Sequence, residues 1–75
     1  MRELVEYIAK SLVENPDQVR INQVQGEQSV ILELRVAPGD RGKVIGKQGR
    51  IARATRVLLK AAAAKEGKRG VLEII

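Results

Sequence analysis

The heptapeptide VIGKQGR, residues 44–50, breaks an apolar run with two glycines and places a lysine and a glutamine between them. Gly46 and Gly49 have no Cβ atom, so the chain can turn sharply at both positions and a bulky ligand can approach the main chain closely. The alanine- and arginine-rich segment that follows predicts a helix beginning at about Gly49 or Arg50. The N-terminus of a helix carries unpaired N–H groups and a partial positive charge, which together favour an anion such as phosphate. The stretch therefore predicts a turn that presents main chain and positive charge to a ligand.

The composition indicates a small globular domain. The 75 residues make one domain, and a chain of this length buries only about 60% of its unfolded surface, which leaves little room for a catalytic cavity. Hydrophobic residues make up 44% and charged residues 31%, which favours a folded domain over a disordered chain. No apolar run approaches the roughly 20 residues that span a bilayer, so we expect a cytoplasmic protein with no membrane partner.

The side-chain inventory argues against an enzyme. The chain has no cysteine and no histidine, which removes disulfides, thiolate nucleophiles, histidine bases and most zinc sites. Ser11 and Ser29 have no evident activating partner, and the carboxylates are scattered without a metal-binding spacing. A P-loop is excluded because three residues, and not four, separate Gly42 from Gly46, and because Gln48 follows the lysine. We therefore expect no catalytic residue, cofactor, metal or small-molecule substrate.

Positive charge is concentrated in one part of the chain. The formal net charge is +5, and residues 41–65, here called the cationic block, contain eight basic residues and no acidic one. The rest of the chain contains six basic and nine acidic residues, so it is mildly acidic. Solvated helix surfaces usually mix both signs, so an acid-free block favours a polyanion-binding face. Arg53, Arg56 and Lys60 share one helix face in it, either as a phosphate track or as residues that solubilise an alanine-rich helix.

Hydrophobic periodicity and turn residues predict an α+β domain. Apolar residues follow helical or alternating spacing in the order α-β-β-α-α-β, with helices at 2–14, 41–45 and 50–66 and strands at 19–25, 29–37 and 71–75. The first two strands should form an antiparallel hairpin, and the three-stranded sheet should pack against helices on one face. Asp40 is predicted to cap the N-terminus of the short helix. On the last helix, we expect the core positions to be Ile51, Ala54, Leu58 and Ala61.

This order of elements, with VIGKQGR between the second and third helices, resembles a type II KH domain. The small size, the run PGDRGKVIGKQGR at 38–50 and the terminal GVLEII resemble, more narrowly, the small stand-alone bacterial KH RNA-binding proteins of the KhpA type. The resemblance implies one KH domain over residues 1–75, whose GxxG loop, residues 46–49, clamps the backbone of about four nucleotides of single-stranded RNA. It also implies a homodimer, or a heterodimer with a larger KH-containing RNA-binding protein, acting in RNA regulation as an RNA chaperone.

The residues that we expect to bind RNA are Lys43, Val44, Ile45, Gly46, Lys47, Gln48, Gly49, Arg50, Ile51 and Arg53. Within this set, Val44, Ile45 and Ile51 should line the helix side of an apolar groove for bases, and Val36 or its neighbours the strand side. Many KH domains have an isoleucine three residues after the second glycine, where this chain has Ala52, one residue after Ile51. The sequence leaves open which side chain forms the floor of the groove.

Two other functions use the same residues differently. A helix-turn-helix module for duplex DNA also joins two helices across a tight turn, although the helix after Gln48 offers arginines and no Asn or Gln to read bases. An assembly subunit with mainly protein partners would use the alanines at 61–64 for close helix packing, although alanine also simply favours helix formation.

Overall fold

The structure, a computed structural model, describes residues 1–75 and has the predicted element order. The helices are α1 (Arg2–Leu12), α2 (Arg41–Ile45) and α3 (Arg50–Ala64), and the strands are β1 (Arg20–Gln25), β2 (Ser29–Arg35) and β3 (Arg69–Ile74). Single 3₁₀ turns lie at Pro16–Gln18, Pro38–Asp40 and Lys47–Gly49. The predicted α+β class is confirmed, although α1 and α3 end slightly earlier than predicted and β3 begins earlier.

The sheet has the order β1-β2-β3, with β2 in the centre. β1 and β2 form the predicted antiparallel hairpin, in which Gln25 pairs with Val30. β3 pairs with β2 in parallel, so that Ser29 lies opposite Arg69. Parallel neighbours cannot be joined by a hairpin and need a crossover connection, which α2, the GxxG loop and α3 provide. The loop therefore lies in the crossover, where the chain turns back along the sheet.

The core lies between the sheet and the helices on one of its faces, as predicted. Val30, Leu32 and Leu34 alternate along β2 and are buried, where they pack with Val5 of α1 and Leu59 of α3. The side chains between them on β2 are more exposed, on the face that the helices leave open. No helix combines the length and the apolar character needed to cross a membrane.

The buried face of α3 is displaced from the predicted one. The prediction is wrong at three positions that are exposed, Ala54, Leu58 and Ala61. The buried residues of the helix are Ala52, Thr55, Leu59 and Ala63. Both stripes are largely apolar, so periodicity alone does not distinguish them. Packing on β3 distinguishes them, because Leu59 and Ala63 pack closely against Gly70, which has no side chain. A Cβ atom at Gly70 would lie 3.0 Å from Leu59 Cγ and 3.1 Å from Ala63 Cβ.

Asp40 does not cap α2, contrary to the prediction, and binds the segment after α1 instead. Its backbone is helical (φ −99°, ψ −6°), whereas a capping residue adopts extended backbone, and its side chain makes no hydrogen bond to α2. The carboxylate is 2% exposed and accepts hydrogen bonds from the backbone N–H groups of Glu14 (3.2 Å) and Asn15 (3.0 Å) and from Asn15 Nδ2 (3.1 Å). Lys43 Nζ lies 3.9 Å from the same carboxylate. Asp40 therefore fixes the start of α2 against the residues that follow α1.

We predict that Asp40 makes the stability of the protein sensitive to acid. Burial favours the neutral carboxyl, but the hydrogen bonds from Glu14 and Asn15 and the charge of Lys43 outweigh it, so the pKa of Asp40 lies below its ordinary value of 3.8. Such a carboxyl stabilises the fold above its unfolded pKa and loses that contribution as pH falls through its folded pKa. Between about pH 5 and pH 2, the free energy of unfolding in urea should fall more steeply for the wild type than for Asp40→Asn. Equal slopes would contradict this role.

Candidate nucleic-acid interface

The GxxG loop turns on three residues with positive φ. Gly46 has φ 78° and ψ 172°, a backbone conformation essentially restricted to glycine. Gln48 (φ 57°) and Gly49 (φ 75°) are left-handed, and the Gly49 N–H donates to the Gly46 carbonyl at 3.1 Å. The turn delivers the chain directly to Arg50, the first residue of α3.

The two glycines of the loop are required for different reasons. A Cβ atom at Gly46 would lie 2.6 Å from Ile51 Cγ1, so Ile51 packs directly against the loop backbone. A Cβ atom at Gly49 would meet only Arg53 Nη2, at 3.9 Å, so backbone conformation and not space is the constraint there. Ala52 is buried on the inner face of α3, whereas Ile51 is partly exposed beside the loop. Of the two, Ile51 is therefore the side chain that reaches the surface.

Arg53 is bound to the loop backbone. Its Nη2 donates to the Gln48 carbonyl at 3.1 Å, which links α3 to the one non-glycine residue with left-handed backbone. This hydrogen bond favours a single conformation of the loop. A guanidinium has five N–H donors, so the others stay available to an anion.

Positive charge around the loop is largely unpaired. Ile45, Lys47, Gln48 and Arg50 are exposed around the turn. In the cationic block only Lys43 forms ion pairs with acidic side chains. The first turn of α3 contains no acidic residue, so the partial positive charge of its N-terminus is not neutralised. The loop and the N-terminus of α3 together form one exposed electropositive surface.

Three residues expected at the interface are engaged elsewhere. Val44 is 4% exposed and Val36 is 5% exposed, and both belong to the core, so neither offers surface to a base. Lys43 Nζ lies 3.3 Å from Glu14 Oε1 as well as near Asp40, so its charge is partly neutralised. The expected groove lining by Val44 and Val36 is therefore corrected.

The open groove beside α3 is bordered by β3, which is an edge strand. A hollow of about 160 Å³ between the two elements is lined by Arg56, Lys60, Arg69, Gly70, Val71 and Leu72. Arg56 Nε donates to the Leu72 carbonyl at 3.4 Å. The sequence pattern leaves the roles of Arg56 and Lys60 open and does not indicate Arg69 as part of the groove. Arg69 could be placed at the groove only from the parallel pairing of β3 with β2, because that pairing puts the start of β3 beside the C-terminal half of α3.

A GxxG loop in the helical crossover between parallel strands, with an open groove between helix and edge strand, defines a KH-type domain. The family model described as "KhpA/KhpB, KH domain" matches residues 2–74, and the chain belongs to that family. It is 67% identical to the RNA-binding protein KhpA of Clostridium acetobutylicum and 65% identical to that of Clostridium perfringens, in each case over 100% of both chains. It is 56% identical to the RNA-binding protein KhpA of Aquifex aeolicus, over 100% of this chain and 95% of the other. No solved structure matches it.

We predict that asparagine is tolerated at Gly49 and not at Gly46. Asparagine enters left-handed backbone more readily than most residues, so Gly49→Asn should lower the free energy of unfolding by about 1 kcal/mol or less. Gly46→Asn combines a glycine-only conformation with a clash against Ile51, so its loss should exceed about 2 kcal/mol. Urea denaturation measures both.

A second substitution tests the clash itself. In a Gly46→Ala background, Ile51→Ala should recover part of the lost stability, although the same change destabilises the wild type. Equal losses at Gly46 and Gly49, or no recovery, would contradict the distinction between the two glycines.

Proposed function

We propose that the chain is a non-catalytic protein that binds single-stranded RNA, with the GxxG loop on the RNA backbone and bases in the groove beside it. The observation that carries this proposal is the loop, which presents main chain, unpaired cations and a helix N-terminus at one exposed point. The relatives named RNA-binding protein KhpA support the same polymer. KH domains use such a loop to clamp the backbone of about four nucleotides.

Phosphate contacts come from Lys47, Arg50 and the N-terminus of α3. Both side chains are exposed and have no acidic partner, so binding a phosphate does not require breaking an ion pair. Arg53 holds the Gln48 carbonyl and keeps further donors for the same phosphate. At Gly49 a Cβ atom would meet almost nothing, so the bare main chain leaves room for the sugar-phosphate backbone.

Bases lie between the helix side of the loop and the open edge of β3. Ile45 is exposed and Ile51 is partly exposed there, and they provide the apolar surface. An edge strand has backbone N–H and C=O groups that no neighbouring strand uses, and these can hydrogen-bond to base edges. Arg56 and Lys60 border this edge and attract the RNA backbone along α3.

Two features of α3 argue against duplex DNA as the preferred ligand. A recognition helix places its N-terminal side chains against base edges in the major groove. The helix contains no Asn or Gln, and Arg53 near its N-terminus is bound to Gln48. Single-stranded RNA should therefore displace the protein from a fluorescent RNA better than duplex DNA does at the same salt concentration.

We predict that Lys47→Asp combined with Gln48→Asp weakens RNA binding at least about tenfold, or 1.4 kcal/mol. Both side chains are exposed, and aspartate is compatible with the left-handed backbone at Gln48, so the fold should survive. Two carboxylates would then stand where the phosphate binds. Titration of labelled RNA measures the loss, and circular dichroism with thermal melting checks the fold.

A matched control places the same change on α1 and β1. Lys10→Asp with Gln25→Asp alters the same residue types and changes the net charge by the same amount. This control should retain more of the wild-type affinity for RNA than the loop variant does. For the wild type, log affinity should fall with log salt at a slope of about −1.4 to −2.8, as expected for two to four phosphate contacts. A folded loop variant that binds RNA like the wild type, or a slope near zero, would overturn the site assignment.

We further propose that the chain associates through the exposed crest of α3 with a second copy, or with a larger KH-containing RNA-binding protein. The α3 crest consists of Ala54, Val57, Leu58 and Ala61, all exposed. Val57 is 61% exposed, and Tyr7 of α1, a helix that contacts α3, is 74% exposed. Apolar patches of this kind mark protein interfaces. Because one KH domain binds few nucleotides, pairing raises the affinity for a longer strand.

We predict that Val57→Glu with Leu58→Glu produces a monomer. Burying two carboxylates at a helix–helix contact is unfavourable, whereas both positions tolerate charge when exposed to water. Sedimentation equilibrium over a range of concentrations measures the mass of each protein. As a control, Ala64→Glu, exposed at the end of the same helix, should keep the mass of the wild type. A monomeric wild type, or a dimeric crest variant, would contradict self-association through this surface.

A further inference from the structure

A second hollow lies at the end of the sheet far from the GxxG loop. It measures about 590 Å³ and is lined by Gln28, Ser29, Gly67, Lys68 and Arg69, with no apolar side chain among them. Gln28 lies in the turn before β2 and Ser29 begins that strand, whereas Gly67 and Lys68 lie between α3 and β3 and Arg69 begins β3. The Arg69 N–H donates to the Gln28 carbonyl at 2.8 Å, so the two walls are joined by a backbone hydrogen bond. We call this site the terminal hollow.

The connection that forms one wall has a fixed conformation. Gly67 has φ 69°, its N–H donates to the Ala64 carbonyl at 3.0 Å, and the Lys68 N–H donates to the Ala63 carbonyl at 3.0 Å. This pair of bonds is the Schellman motif, which ends a helix with a glycine in left-handed conformation. The hollow is therefore preformed, and a ligand does not have to order the segment on binding.

The terminal hollow carries unpaired positive charge. Neither Lys68 nor Arg69 forms an ion pair, although Glu27 and Glu66 are their acidic neighbours along the adjoining turns. Cations near a helix C-terminus also complement the helix dipole, which would be a purely structural role for Lys68. Arg69 is already in β3, so that explanation does not account for it. Two cations with an amide and a hydroxyl group suit a phosphate and its sugar better than a base.

The terminal hollow continues the groove beside α3. Arg69 lines both hollows, so basic residues follow α3 from the GxxG loop past Arg56 and Lys60 to Lys68. The 15 residues of α3 span about 22 Å between the loop and this end. If an RNA strand is held at the loop and runs along α3, the nucleotides that reach the terminal hollow are those beyond the ones that the loop clamps.

We propose that the terminal hollow binds a sugar-phosphate unit of the same RNA strand, beyond the nucleotides that the GxxG loop holds. The inference rests on the proposed function, because it takes the RNA to be bound at the loop. It assigns to Lys68, Arg69 and Gln28 a contact with the RNA backbone that is independent of base identity. Its consequence is a binding site longer than the four or so nucleotides of the loop contact.

The test measures the binding of short and long oligouridylates, of about four and about eight nucleotides, to the wild type, to a variant of the terminal hollow and to a control variant. Gln28→Glu with Lys68→Gln changes the terminal hollow by nearly isosteric substitutions and leaves Arg69, which also lines the first hollow, in place. A longer RNA offers more positions for binding and can bridge two copies of the protein, and both effects are the same for the wild type and the variant. The difference in affinity between these two proteins therefore reports the contribution of the terminal hollow. Gln25→Glu with Lys10→Gln makes the same exchanges on β1 and α1 and serves as the control.

We expect the variant to bind the short RNA like the wild type and the long RNA several-fold more weakly. Its salt slope on the long RNA should decrease in magnitude by at least about 0.7, the contribution of one phosphate contact. Unchanged affinity and slope on the long RNA would overturn the proposal, as would a variant that loses only thermal stability, since Lys68 would then serve the helix end alone. A wild type that binds neither RNA would instead contradict the proposed function.

Discussion

The parallel pairing of β3 with β2 determines where the helices, the GxxG loop and the groove lie. It requires a crossover, and in a chain of 75 residues the crossover consists of α2, the GxxG loop and α3. It also places β3 at the edge of the sheet beside α3, with Gly70 allowing the close approach of Leu59. The same pairing therefore creates the loop, the open strand edge and the groove between them.

The proposed interface is held in place by contacts that leave the side chains proposed to bind RNA available. Asp40 fixes the start of α2 through the backbone after α1, Ile51 packs against Gly46, and Arg53 holds the Gln48 carbonyl. None of these contacts uses the side chains of Lys47 or Gln48, which remain exposed at the turn. A loop that is already ordered loses less conformational entropy when it binds, which raises affinity without additional contacts.

The sequence predicts the features that depend on local residues. Alternation of apolar residues along β2 helps to predict the element order, and the glycines at 46 and 49 predict the loop. The charge of the cationic block predicts the electrostatic character of that loop. The buried face of α3 could not be predicted, because the stripes containing Leu58 and Leu59 are both largely apolar and the choice depends on contact with Gly70. The partners of Asp40 lie 25 and 26 residues away along the chain, beyond any local capping pattern. The position of Arg69 beside α3 depends on strand order, which short-range periodicity does not encode.

In the binding mode proposed above, RNA lies along the loop and the groove between α3 and β3, and the open face of the sheet takes no part. The most direct measurement is the backbone amide spectrum of ¹⁵N-labelled protein during titration with a short oligouridylate. We predict chemical-shift changes that saturate together over residues 46–53 and 69–72. The amides of Asn22 and Ile31, on the outer face of the sheet, should stay unchanged. Changes concentrated on α1 or on the outer sheet face, with the loop amides unmoved, would contradict the account.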